Sequence, residues 1–123
     1  MQLRIKNTNF EMTGEVREYL NKKLEQFEHF LDSKGSNVAW DVELERIVKS
    51  QQTGKIFRAE FNLTVGGELL RAEAAAESMM AAIDEAKDEL KREYTKSNAL
   101  HRRMARRGGR MVKDFIRGNW RGP

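Results

Sequence analysis

Two kinds of hydrophobic spacing alternate along this chain, and their order leaves few folds open. Met1, Leu3 and Ile5 alternate with Gln2, Arg4 and Lys6, as one buried face of a first strand requires. Val16, Tyr19, Leu20, Leu24, Phe27, Phe30 and Leu31 then repeat at the helical period over about Gly14 to Leu31, with Thr13 placed to cap the helix. Val38, Trp40, Val42 and Leu44 alternate again, followed by Phe57, Ala59, Phe61, Leu63 and Val65. Asp32–Asn37 and Lys49–Lys55 read as a loop and a turn. Gly66-Gly67 is a hairpin signal leading into a short fourth strand with Leu70, Ala72 and Ala74 inward. Ser78 caps a long second helix, whose core face is Met79, Met80, Ile83, Ala86, Leu90 and Tyr94.

The order is therefore β-α-β-β-β-α. Each strand has one apolar face, and each helix one apolar stripe. The compact solution is a two-layer α+β domain, a four-stranded sheet with both helices packed on one face. A chain of 123 residues has room for one such core. The domain is expected over residues 1–100, with a basic C-terminal tail over residues 101–123.

Charge divides the chain in the same place. From His101 to Pro123 there are eight basic residues against Asp114 alone, a net +7; the whole chain carries +4, so the first 100 residues carry −3. A basic arm on a compact domain points to a polyanionic partner: RNA, DNA or an anionic membrane. The arginines come in pairs, Arg102-Arg103 and Arg106-Arg107, with Arg110 beyond. Guanidinium groups bind phosphate bidentately and stack on bases. Phe115, Ile116 and Trp120 fit docking on the domain, on a second copy or on the partner, so self-association stays open. A membrane-surface role ranks last, because Gly108-Gly109 and Gly118 interrupt any amphipathic helix in the tail.

Arg17, Lys22 and Lys23 fall on the exposed side of the first helix, and Lys87, Lys91, Arg92 and Lys96 on the second. Plain solvation competes with RNA contact here. The helix dipole favours cations near a C-terminus, and Asp84, Asp88, Arg92 and Lys96 form an i, i+4 ladder. The outer sheet face, with Arg4, Lys6, Asp41, Glu43, Glu45, Arg58, Glu60, Asn62, Arg71 and Glu73, has no aromatic on which bases could stack. Its mixed charges read as a solvated face with cross-strand pairs.

Catalysis finds little support. His29 and His101 are the only histidines, there is no cysteine, and no phosphate-binding glycine loop occurs. No catalytic residue, metal, cofactor or small-molecule substrate is expected. The lack of cysteine fits a reducing cytoplasm, and neither a membrane-spanning run nor a signal peptide is read from the sequence.

The element order, with Val16-Arg17-Glu18-Tyr19-Leu20-Asn21-Lys22-Lys23-Leu24-Glu25 in the first helix, resembles the bacterial ribosome hibernation-promoting factors. These are also called ribosome-associated inhibitor A or sigma-54 modulation proteins. Met79, Ala82-Ile83-Asp84, Asp88, Leu90, Arg92 and Lys96 continue the likeness in the second helix, and it covers roughly residues 1–100. The resemblance implies a double-stranded-RNA-binding-like fold lodged on the small ribosomal subunit, across the messenger and transfer RNA path. Occupancy there blocks translation and stores the ribosome idle. It carries Arg17, Lys22, Lys23, Arg92 and Lys96 over as contacts to ribosomal RNA; Lys87 and Lys91 come from helix geometry. Gln26, Glu89 and Thr95 stand where the family usually shows a cation, and Ser78-Met79-Met80 where it shows Asp-Met-Tyr. The arginines of the tail are then expected to supply some of the missing phosphate contacts. The chain resembles the short form, without the further domain by which long members pair ribosomes. The alternatives are a general duplex-RNA binder and a protein-interaction module acting on a sigma factor.

Overall fold

A computed structural model describes residues 2–31, 37–47 and 54–107. The expected Asp32–Asn37 loop and Lys49–Lys55 turn lie mostly outside the described residues, as do Met1, Arg110 and the rest of the tail. The element order is β1 (Gln2–Thr8), α1 (Gly14–Phe30), β2 (Val38–Arg46), β3 (Phe57–Val65), β4 (Glu68–Ala76) and α2 (Met79–Arg107).

The sheet is mixed, in spatial order β1-β2-β3-β4. β2, β3 and β4 form an antiparallel meander. β1 pairs parallel with β2, in the register Leu3–Trp40 and Ile5–Val42, because α1 carries the chain back to the starting end between them. The β3–β4 turn is Gly66-Gly67, both at positive φ (58° and 83°), as a type I′ hairpin demands. β4 matches β3 in length and is not the short strand expected. Its Ala74-Ala75-Ala76 end lacks the apolar–polar alternation by which a strand is read.

Both helices cover one face. Leu20, Leu24 and Phe27 of α1 and Met79, Ala82, Ile83, Ala86, Leu90 and Tyr94 of α2 are buried against Trp40, Val42, Leu44, Phe61 and Leu63. Edge-to-face rings run through the core: Phe27 of α1 meets Trp40 of the sheet at 5.5 Å, Trp40 meets Phe61 on the neighbouring strand at 6.0 Å, and Phe30 meets Tyr94 between the helices at 5.5 Å. The Trp40 indole N–H donates to Glu28 Oε2 at 3.1 Å, so the largest core residue leaves no unmade donor. Leu3 and Ile5 of edge strand β1 are only half-buried, as is Met80. Both caps form as the sequence suggests. Thr13 Oγ1 accepts from the Val16 N–H at 3.2 Å, and Ser78 Oγ from the Ala81 N–H at 3.1 Å.

The outer face is more tightly paired than a solvated one. Arg58 reaches Glu45 at 2.8 Å, Glu43 at 3.1 Å and Glu73 at 2.7 Å, and leans on Glu60 at 3.4 Å. Glu60, shared with Arg71, is buried at 8% exposure. Burial opposes the charge on Arg58, yet the hydrogen bonds it donates to Glu45 and Glu43, with the charges of those carboxylates, outweigh it and raise the guanidinium's pKa.

Candidate nucleic-acid interface

The helices lie side by side and parallel. Tyr19 contacts Asp84 near their beginnings, and Phe30 contacts Tyr94 farther along both. Their solvent-facing sides therefore form one surface, with Arg17, Lys22 and Lys23 in the first ten residues of α1 and Lys91, Arg92 and Lys96 farther along α2.

Arg17 and Lys22 are exposed and make no ion pair among the described residues. Lys22 borders a groove of about 530 Å³ between the two helices, lined also by Glu15, Glu18, Tyr19 and Met80. Lys91 is exposed too; its ammonium stands 4.5 Å from the centre of the Phe30 ring, a cation–π contact that fixes the side chain without neutralising it. A shallow hollow of about 480 Å³ on α2 is lined by Asp88, Lys91, Arg92, Thr95 and Lys96.

Arg92 and Lys96 are largely exposed, and each leans on a neighbour three residues back. Arg92 reaches Glu89 at 2.8 Å, and Lys96 reaches Glu93 at 3.6 Å. The Glu89 hydrogen bond raises the Arg92 pKa. The Asp84–Asp88–Arg92–Lys96 ladder read from the spacing does not form; i, i+3 carboxylates take its cations, and Asp84 turns to α1 instead. Exposed pairs of this kind contribute only a few tenths of a kcal/mol, so phosphate can displace the carboxylates at little cost.

Lys23 and Lys87 depart from the expected open positions. The Lys23 side chain is only 20% exposed and lies 3.5 Å from Asp84 Oδ1 and 5.1 Å from the Tyr19 ring centre. Asp84 Oδ2 accepts the Tyr19 hydroxyl at 2.6 Å, and this hydrogen bond holds the phenol pKa above its ordinary value. Lys87 is 24% exposed and lies 3.7 Å from Asp88. The Tyr19–Asp84–Lys23 cluster links the two helices. Its only sequence signal is that Tyr19 and Lys23 are one helical turn apart; nothing in the spacing marks their partner on α2.

α2 does not stop at Leu100. It advances roughly 27 Å from Met79 to Ser97 at 1.5 Å per residue, against about 26 Å for β4 from Ala76 back to Glu68. The contact between Ser97 Oγ and Glu68 Oε2, 2.9 Å, marks the end of the sheet. Residues 98–107 then carry the helix about 15 Å farther. Arg102, Arg103, Arg106 and Arg107 sit on the backbone of that overhang, continuous with the helix that bears Lys91, Arg92 and Lys96.

Residues 3–101 match the family described as sigma 54 modulation protein / S30EA ribosomal protein. A ribosome hibernation promotion factor of Deinococcus radiodurans is 32% identical over 101 residues, which cover 81% of this chain and 50% of that protein. The chain thus spans half the length of that relative. A ribosome hibernation promoting factor of Klebsiella oxytoca is 32% identical over 96 residues, 78% of this chain and 92% of that protein. Among solved structures, the N-terminal domain of Protein Y from Thermus thermophilus superposes with a TM-score of 0.59 at 31% identity, over 73% of this chain and 91% of that one. A ribosomal subunit interface protein from Coxiella burnetii gives 0.63 at 17% identity, over 80% and 99%; that likeness bears on the fold alone.

Proposed function

The chain belongs to the sigma 54 modulation protein / S30EA ribosomal protein family, and from that premise we propose that it is a ribosome-associated translation inhibitor. It lays its helical layer on ribosomal RNA of the small subunit, occludes the messenger and transfer RNA path, and acts in the cytoplasm. The observation that carries this reading is the surface of two parallel helices bearing Arg17, Lys22, Lys91, Arg92 and Lys96, extended by the arginine-bearing overhang of α2. The hibernation factors among its relatives agree with it.

No bond is made or broken in this role. Affinity comes from phosphate neutralisation and shape. Lys22 and Lys91 meet phosphate without first surrendering an ion pair, whereas Arg92 and Lys96 exchange exposed carboxylates for it. Lys23 serves through its position between the helices, and Lys87 is held beside Asp88. Arg102, Arg103, Arg106 and Arg107, carried on the backbone of the α2 overhang, supply further phosphate contacts, as does Arg110, which lies outside the described residues.

Co-sedimentation with small ribosomal subunits, using the full chain and one ending at Leu100, tests the proposal. The full chain should pellet with the subunits, less so as salt rises, because each neutralised phosphate releases counterions. The shortened chain should pellet less at every salt concentration. Association unchanged across a tenfold salt range, or equal pelleting of the two chains, contradicts the electrostatic surface. Binding to free duplex RNA as strong as binding to subunits would favour a general RNA binder instead.

A further inference from the structure

We propose that the open edge of β4 pairs antiparallel with the same strand of a second copy, joining two sheets across a two-fold axis at Ala72. β4 ends the sheet, and among the described residues no strand lies beyond it. An open edge offers a row of unmade backbone donors and acceptors, which proteins usually guard with lysine, proline or a bulge. β4 has none of these: its sequence is ELLRAEAAA, and its register with β3 runs unbroken from Glu68 to Ala76.

The hairpin decides which backbone groups are free. Val65 and Glu68 flank the two-residue Gly66-Gly67 turn and so form a hydrogen-bonded pair. Alternation along the ladder then commits residues 68, 70, 72, 74 and 76 to β3, leaving the N–H and C=O of Leu69, Arg71, Glu73 and Ala75 at the open edge. The side chains of these same four residues are on the outer face, where Leu69 is the one large hydrophobic residue left exposed among the described residues, at 60%.

Charge then selects the register. Directly opposed residues of an antiparallel pair share a face, so outer residues must meet outer residues. With the axis at Ala72, Arg71 opposes the partner's Glu73, Glu73 opposes the partner's Arg71, and Leu69 covers the partner's Ala75. Moving the axis one residue either way sets Arg71 against Arg71 or Glu73 against Glu73. The same operation on the other edge strand, about Ile5 of β1, sets Arg4 against Lys6. Of these arrangements, only the one about Ala72 sets unlike charges against each other at both positions.

The two charged side chains are prepared for this role. Arg71 meets Glu60 through Nε, and its side chain is 64% exposed. Glu73 uses only Oε2 on Arg58, at 2.7 Å, and is 52% exposed. The terminal amino groups of one and the second oxygen of the other remain for a partner. α2 packs on β4 and, less extensively, on β3, all on the inner face of the sheet, so the outer-face side chains of β4 are left uncovered by it. An axis perpendicular to the sheet keeps both helical layers on one side, and both cationic surfaces face the same way. This inference does not depend on the ribosomal reading, and its test needs no ribosome.

Sedimentation equilibrium, from micromolar to near-millimolar chain, should show a monomer–dimer equilibrium. Arg71→Glu and Glu73→Arg, each alone, oppose like charges and should weaken the dimer at least about tenfold. Mixed in equal amounts, the two variants bring opposite charges together at both positions and should form a heterodimer. Leu69→Lys leaves every internal ion pair in place and should weaken the dimer similarly, which covers the case of a charge variant that does not fold. A wild-type chain that stays monomeric throughout, folded variants as dimeric as wild type, or a mixture that does not associate each overturns the proposal.

Discussion

The Tyr19 hydroxyl of α1 donates a 2.6 Å hydrogen bond to Asp84 Oδ2 of α2, and the other oxygen of the same carboxylate faces Lys23. One acidic residue thus ties two turns of α1 to α2. Tyr19→Phe should cost about 1 kcal/mol, the lower range for a bond to a charged acceptor, because Asp84 remains partly solvated. The sign with pH follows from the raised phenol pKa. The bond's contribution is present below the ordinary value of 10.0 and is lost as pH rises through the higher folded value. Urea unfolding of both proteins at neutral and strongly alkaline pH checks this. The gap should close only on the alkaline side.

On the outer face, Thr8 Oγ1 donates to Glu43 Oε2 at 2.9 Å, and that bond, joined by the hydrogen bond and charge of Arg58, holds the carboxyl below its ordinary 4.5. A lowered carboxyl pKa adds stability above the unfolded value, and that stability is lost as pH falls through the folded one. Thr8→Val keeps the shape and removes the donor. It should cost about 1 kcal/mol at neutral pH and progressively less as the pH drops below 4.5. A difference that stays constant into acid would show that the loss came from packing.

Gly66 and Gly67 differ in what they tolerate, although a side chain at either would meet no atom within 4 Å. Any cost is conformational. At φ 58° Gly66 lies where asparagine is accepted, while Gly67 at 83° is farther from that minimum. Gly66→Asn should be nearly neutral, and Gly67→Ala should cost about 1–2 kcal/mol. Thermal unfolding distinguishes the two.

The legible parts of this fold are those in which one residue's chemistry settles a local question. Thr13 and Ser78 cap helices because their hydroxyls can replace absent backbone acceptors, and Gly66-Gly67 turns because positive φ is cheap there. The choice of β2 as the parallel neighbour of β1 is not local. Leu3 and Ile5 alternate equally well at either edge of the meander, and the distance α1 must span decides between them. The end of α2 was hidden for a different reason. Arginine, methionine and alanine between residues 102 and 107 are good helix formers, and a charge-based boundary at residue 101 does not register that. In the candidate site, exposure was legible for Arg17, Lys22, Lys91, Arg92 and Lys96. The partner of Lys23 was not, because it sits on another helix.

That difference separates two adjacent lysines. Lys22 is exposed and without an ion pair among the described residues, whereas Lys23 is mostly covered and faces Asp84. If the helical surface binds ribosomal RNA, Lys22→Ala should remove one phosphate contact. The slope of log affinity against log salt should then fall by about 0.7–0.9 with little change in unfolding temperature. Lys23→Ala should do the reverse, leaving the slope near the wild-type value while lowering stability by about 0.5–1 kcal/mol as Asp84 loses its counter-charge. Filter binding at several salt concentrations, read beside thermal unfolding, resolves both effects. Equal slopes for the two variants would mean that Lys23 leaves Asp84 when RNA arrives, and that the contact between the helices is exchanged in the bound state.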